Sequence, residues 1–283
     1  MVAWFGGSYY WYGTSYGCGF SIGSPTSKFC GVVVYRSASL HGPWAGPTLL
    51  FDPAPWQARC AAPNYGCFRP HVVFNPNTND YRLWLNVAAT TGWGYAVFSS
   101  ASPAGPFSYV GDAVLTEAIG GTPKYGDLGL YVDNGIAYVA YTVIGPLGTH
   151  AIAVERLDAA FVHGTGAAVM LGIRQWVEAP SIFKRGSDWY VLYSDPICSY
   201  CRGTGTSYAV GVSPLGPWSE LEHNISATSC GGQPSAVSLL PDGYLYQSDL
   251  WLGTPNETAA FQHWEWLAFT GDGTISGLRC QAF

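Results

Sequence analysis

Trp176-Val177-Glu178-Ala179-Pro180-Ser181-Ile182-Phe183-Lys184-Arg185-Gly186-Ser187-Asp188-Trp189-Tyr190-Val191-Leu192-Tyr193-Ser194 reads as one β-hairpin. A short strand over Ala179–Phe183 meets a polar turn containing Gly186, and an aromatic, β-branched strand returns to Ser194. Glu178 stands where the first strand begins, at the mouth of a sheet and not inside it. The same grammar recurs in four further units: inner strand, turn, aromatic strand, then a third strand that mostly runs to a Gly-Pro-aromatic corner.

Unit one holds Val2–Phe5, Tyr9–Gly13 and Val32–Ser37 before Gly42-Pro43-Trp44. Unit two holds His71–Asn75, Tyr81–Asn86 and Tyr95–Ser100 before Gly105-Pro106-Phe107. Unit three holds Leu128–Val132, Ile136–Val143 and Ala151–Leu157, and unit four adds Tyr208–Ser213 and Gly216-Pro217-Trp218 to the opening hairpin. Unit five holds Ser235–Leu240, Tyr244–Trp251 and His263–Phe269, with Thr270-Gly271-Asp272-Gly273 turning into a last strand. Repeats of about 50–60 residues with three or four short strands each are the pattern of a β-propeller. The expectation is an all-β, five-bladed β-propeller forming one domain over residues 1–283, because such units bury their faces only against one another. The strand-poor insertions Gly13–Cys30 and Pro53–Cys67 read as loops pinned by their own cysteines.

Composition agrees. Of 283 residues only 11% are charged while 16% are aromatic, and 36 are Gly, which suits short strands and Gly-rich turns. A net charge of −6 gives no electrostatic case for nucleic acid or acidic membranes as partners. Twelve Trp exceed what a core needs, and surplus Trp often forms sugar-stacking platforms. The eight cysteines fall as Cys18/Cys30, Cys60/Cys67, Cys198/Cys201 and Cys230/Cys280, which favours disulfides and an oxidising compartment, although sequence alone leaves the connectivity open. Cys198-Ser199-Tyr200-Cys201 has redox or zinc spacing but lacks a second pair or a nearby His. Sequons at Asn224-Ile225-Ser226 and Asn256-Glu257-Thr258 are compatible with secretion. The chain shows no signal peptide or membrane span and starts inside an apolar run, as expected of a mature or trimmed product.

Superposing the units places Glu178, Asp127, Phe68 (beside Arg69) and either Gly232 or Gln233 at equivalent positions, while the first unit's position falls at or just before residue 1. In a propeller these residues would ring one shallow funnel, where two facing carboxylates suit general acid/base work. A lone Asp or Glu before a strand equally serves as a turn cap; the shared register favours the functional reading.

At this point the residues resemble a known family. Glu178-Ala179-Pro180-Ser181-Ile182-Phe183-Lys184 with Trp189–Ser194 looks like the general-acid blade of glycoside hydrolase family 43. Asp127-Leu128-Gly129-Leu130-Tyr131-Val132-Asp133-Asn134-Gly135, Arg69-Pro70-His71-Val72-Val73-Phe74-Asn75 and Trp264-Glu265-Trp266-Leu267-Ala268-Phe269 are similar to its third, second and closing segments. The pattern is nearest the exo-β-1,3-galactanase-like branch, which lacks the usual first-blade Asp base; a fifth-blade Gln has been assigned that role, and Gln233 resembles it. That branch carries a Glu directly before its second-blade Arg-Pro, where this chain has Phe68 and so lacks an acidic sugar contact.

The resemblance implies a secreted, inverting glycosidase acting on a plant-type polysaccharide or oligosaccharide. The leading substrate is β-1,3-galactan or related arabinogalactan side chains, and the expected state is a monomer. Glu178 is then the acid, with Asp127 orienting it and favouring its protonated form by like-charge repulsion. Arg69 bonds a sugar hydroxyl or holds Asp127 ionised. Gln233, a neutral amide, could act as base only through an unusual tautomer or by positioning water, so Asp195 and Asp249 stand as acidic alternatives. Trp11, Trp93, Tyr125 and Trp251 are candidates to line the sugar positions, and His71 and His263 read as hydrogen-bonded core residues. No cofactor is required. Family members often hold a central calcium, but no oxygen-rich cluster here demands one. Three rivals remain: a carbohydrate-binding propeller that has lost catalysis, an arabinan- or xylan-directed hydrolase, and a structural or protein-binding propeller, which would not need aligned acids at the rim.

Overall fold

The computed structural model describes residues 1–20, 24, 26–121, 123–195, 204–251 and 260–281. The couple Cys198/Cys201 and the sequon at Asn256 lie outside the described residues. Five antiparallel sheets form five blades, each starting from an inner strand at the axis. Blade 1 comprises β1 (Val2–Phe5), β2 (Ser8–Thr14), β3 (Val32–Ser37) and β4 (Ala45–Leu49). Blade 2 comprises β5 (Gly66–Asn75), β6 (Asp80–Ala89), β7 (Gly92–Ser100) and β8 (Ser108–Asp112). Blade 3 runs β9 (Tyr125–Asp133), β10 (Ile136–Ile144), β11 (His150–Leu157) and β12 (Gly164–Met170). Blade 4 runs β13 (Glu178–Arg185), β14 (Asp188–Asp195), β15 (Gly205–Gly211) and β16 (Trp218–Ser226). Blade 5 has three strands among the described residues, β17 (Gln233–Leu240), β18 (Gly243–Leu250) and β19 (Phe261–Trp266). The last strand expected after Gly273 is reduced to a single bridge between Phe269 and Ile275.

Among the described residues no strand of one sheet pairs with another sheet, so the blades hold together mainly through side chains. Alternation along each strand sends apolar residues to both faces, and each face meets a neighbouring blade. One buried cluster forms at every blade junction. Tyr12, Val34, Leu85 and Phe98 fill the first, and Trp84, Tyr95, Val139 and Tyr141 the second. Ile182, Val191 and Tyr193 pack against Val154 in the third, and Phe183, Tyr190 and Tyr246 form the fourth. Val2, Tyr9, Leu240 and Leu245 close the ring, sealed where the Val2 N–H donates to buried Gln247 Oε1 at 2.7 Å.

The insertion over Pro53–Cys67 contains a 3-10 turn (Ala54–Trp56) and α1 (Gln57–Cys60), not a plain loop, because Trp56 and Cys60 turn into the first cluster. Disulfides Cys18–Cys30, Cys60–Cys67 and Cys230–Cys280 join three of the four couples, a connectivity that the sequence left open. The three Gly-Pro-aromatic corners share one geometry: Gly42, Gly105 and Gly216 have φ of 82°, 79° and 81°, a region that disfavours any side chain.

Candidate active site

Inner strands begin with an irregular rung that turns a side chain towards the axis. In β5 the ladder slips between Phe68 and His71, and in β13 between Glu178 and Ser181. In each slip the residue before proline, Arg69 (φ 51°) or Ala179 (φ 53°), takes the left-handed conformation, a bulge that re-aims its neighbours. Phe68, Glu178 and Gln233 face Asn86, Ser194 and Asp249 on equivalent rungs, which settles the fifth-unit register on Gln233. Asp127 sits within the slip between Tyr125 and Leu128, one residue nearer the hairpin than the superposition implied.

That slip is fixed by buried groups. Asn86 Nδ2 donates to the carbonyls of Tyr125 and Gly126 at 3.2 and 2.7 Å, and the Tyr95 hydroxyl donates to Gly126 at 2.8 Å. Across the junction the Ala179 N–H donates to Thr142 Oγ1 at 3.2 Å, locking the residue after Glu178 to blade 3. Glycine at 129 permits the close approach, because a Cβ there would lie 2.7 Å from the Pro180 carbonyl oxygen. Asp127 and Glu178 are therefore set against each other by backbone, not by flexible side chains.

The rungs open on a cleft of about 1040 Å³ lined by Arg69, Asp127, His150, Glu178, Gln233 and Asp249, with Trp11, Trp93, Trp251 and Phe68 among its aromatic walls. Arg69 is its electrostatic centre. Its guanidinium donates from Nε to Asp127 Oδ1 at 3.3 Å, from one terminal nitrogen to Asp249 Oδ2 at 3.0 Å and from the other to Gln233 Oε1 at 2.6 Å. Its plane also lies over the Trp251 ring, 5.8 Å from the centroid. Burial pulls the Arg69 pKa down, but Asp127, Asp249 and Glu178 outweigh it and the net shift is upward. Burial pushes the Asp127 carboxyl up; Arg69 opposes that push, while Glu178 and Asp249 add to it by like-charge repulsion. Glu178 accepts from Gln233 Nε2 at 2.7 Å on Oε1, and its Oε2 meets His150 Nδ1 at 3.1 Å. Asp249 Oδ1 accepts from Gln262 Nε2 at 2.8 Å, and Gln262 Oε1 accepts from Trp11 Nε1 at 2.9 Å.

Glu178, Asp127, Gln233, Arg69 and Asp249 thus form one connected network, with Trp11, Trp93 and Trp251 on its walls. Two candidates do not join it. Tyr125 is buried under the cleft, its hydroxyl donating to the Leu115 carbonyl at 3.0 Å, so it is a core residue and not a sugar contact. Asp195 pairs with Arg174 at 2.9 Å and accepts from Ser207, away from the cleft lining. Of the two roles expected for Arg69, a sugar contact or a partner for Asp127, its contacts match the second, since its donors go to Asp127, Asp249 and Gln233. His71 is buried with Nδ1 on the Arg69 carbonyl, and His263 pairs with Glu265, both as expected. Where the galactanase-like branch has its acid, Phe68 packs edge-on to Phe20, itself stacked on Tyr16. His150 and Gln262 were not anticipated, because no spacing marks a residue at the start of a third strand.

The sequence model for glycosyl hydrolases family 43 matches residues 77–237, more than half of the chain. The chain belongs to glycosyl hydrolase family 43. Its class is therefore that of glycosidases, enzymes that hydrolyse glycosidic bonds in polysaccharides or oligosaccharides and need no cofactor. No curated protein matches the chain. Among solved structures, a family 43 β-1,3-galactosidase bound to galactodeoxynojirimycin superposes with TM-score 0.76 at 18% identity, covering 100% of this chain and 94% of that one. An exo-β-1,3-galactanase from Phanerochaete chrysosporium gives TM-score 0.76 at 21% identity, with 98% of this chain and 61% of that chain covered. An endo-1,4-β-xylanase from Bacteroides thetaiotaomicron gives 0.69 at 19%, covering 98% and 92%. These likenesses show the fold.

A family 43 propeller with a structural calcium would need roughly six to eight oxygen ligands for it. Among the described residues the one cluster of metal-binding type is Cys230, His263 and Glu265, and Cys230 is tied to Cys280. One imidazole and one carboxylate do not fit calcium, and no step here uses an ion.

Proposed function

We propose that the protein is a secreted, inverting, exo-acting hydrolase of β-1,3-galactan or related galactan side chains, working as one catalytic propeller domain and as a monomer. The observation that carries this is the Glu178–Gln233–Arg69–Asp249 chain across the funnel. It supports the reading because two carboxyl groups, Glu178 and Asp249, are held at the two ends of one hydrogen-bonded chain, and both line the aromatic-walled cleft. Glu178 gives its proton to the departing glycosidic oxygen as the bond from the anomeric carbon breaks. Water adds to that carbon from the opposite face and loses its proton to a base.

Gln233 has its nitrogen on Glu178 and its oxygen on Arg69, and a neutral amide is a very poor base. Asp249 takes the proton in this reading: a carboxylate has about four acceptor sites, and Arg69 and Gln262 occupy only part of them. Gln233 holds Glu178 in place, and Asp127 supports it from blade 3. Secretion is supported by three disulfides among the described residues, none of which forms a helix long and apolar enough to cross a membrane.

One observation favours a second reading. Phe68 gives the cleft an apolar wall where an acid would bind a sugar hydroxyl, which suits a pentose-based arabinan or xylan. Product analysis separates the two: β-1,3-galactan, arabinan and xylan are digested in parallel and the released sugars identified by mass. Galactose as the sole early product supports the first reading, a pentose the second. Bound but uncleaved polysaccharide would mark a propeller that only recognises sugars.

A further inference from the structure

We infer that Trp176 is a stacking platform for the leaving-side sugars of a glycan chain, a binding position outside the funnel. The inference rests on the hydrolase reading only for the direction in which the chain leaves. Trp176 is 47% exposed, a large apolar face offered to solvent, and it is absent from the cleft lining. Its backbone stands at φ 68°. For a bulky side chain this region costs about 1–2 kcal/mol, and Gly or Asn would occupy it at less expense. Placing Trp there needs a reason beyond the turn.

The strained residue is also held in place. Its N–H donates to the His150 carbonyl at 2.8 Å, and its ring lies beside Gly148, where an added Cβ would stand 3.9 Å from Cζ3. The His150 imidazole meets Glu178, so the exposed ring is tied to the acid both along the chain and through the histidine. Leu147, the neighbour of Gly148 in the β10–β11 turn, is 97% exposed at φ 57°.

The occupant follows from size and position. One indole and one leucine are far too small a patch for a stable protein interface, which buries roughly 1,200–2,000 Å². A flat aromatic face does match the C–H face of a sugar ring. Trp176 stands two residues before Glu178 with its N–H on the His150 carbonyl, and both Glu178 and His150 line the cleft. A chain extending from the scissile bond past Glu178 would cross Trp176.

The test uses β-1,3-linked galactose di-, tri- and tetrasaccharides together with native gels containing galactan, arabinan or xylan. Trp176→Ala is expected to lose kcat/KM progressively with length, reaching about tenfold on the tetrasaccharide relative to the disaccharide, which corresponds to about 1.4 kcal/mol. Trp176→Phe should recover part of that loss. In the gels the parent should be retarded by a polysaccharide and Trp176→Ala less so. Equal losses at every length, no loss at all, or no retardation of the parent in any gel would overturn the platform. Retardation that depends on Trp176 without turnover of any substrate would instead overturn the hydrolase reading and leave the platform standing.

Discussion

Arg69 donates to Asp127, Gln233 and Asp249 at once, so three inner or second strands share one guanidinium, and the positions of Asp249 and, through Gln233, of Glu178 are linked by it. A planar fork of this kind fixes direction as well as charge. Proton transfer from water is the step where the residue scale decides. Asp249→Asn should lower kcat by about 10²–10⁴-fold with little change in KM, the range for losing a general base. Steady-state kinetics beside Gln233→Ala would check it; full activity in Asp249→Asn with a comparable collapse in Gln233→Ala would give the proton to the amide. Glu178, Asp127 and Arg69 were legible because each stands near the start of a repeated inner strand, and repetition is visible in sequence. His150 was not, since an imidazole acquires meaning only when blade 3 is laid against blade 4. Tyr125 misled for a related reason: the slip in β9 turns it under the cleft while Asp127 faces the axis.

At the scale of strands, the site depends on how closely β9 and β13 run. A side chain on Gly129 would meet the Pro180 carbonyl at 2.7 Å and Ser181 Cα at 2.9 Å, and neither is the end of a flexible group. Gly129→Val should therefore cost at least the roughly 1–3 kcal/mol typical of overpacking, read by chemical denaturation. It should also lower turnover, because the same shift separates Asp127 from Glu178. An unchanged denaturation midpoint would contradict the backbone contact. Inner and second strands were readable from alternation and aromatic content. The outer strands were not: every residue of Ala45–Leu49 is exposed, and a strand buried on neither face carries no period. The extension of β5 back to Gly66 was hidden by the cysteine that seemed to belong to a loop.

Across the whole molecule, burial at the axis sets a pH limit. His71 is buried, and burial is the main reason its pKa is lowered from 6.5 to about 3. The unfolded chain therefore binds the proton first. The stability contributed by neutral, buried His71 is fully present above pH 6.5 and is lost as pH falls towards 3. The thermal midpoint of the parent should fall more steeply between about pH 6.5 and 4 than that of His71→Asn, and parallel curves would contradict this. Five blades were countable in the sequence from the recurring hairpins and corners. How the ring closes was not, because the link from Val2 to Gln247 joins opposite ends of the chain through one buried amide.

In the proposed reaction Glu178 delivers the proton in a single inverting displacement. The most direct measurement follows cleavage of β-1,3-galactan by NMR from the first turnover, with Glu178→Gln in parallel. The α-anomer of galactose should appear first and mutarotate afterwards, and the variant should be slower by about 10²–10⁴-fold. First appearance of the β-anomer, or a variant as active as the parent, would contradict it.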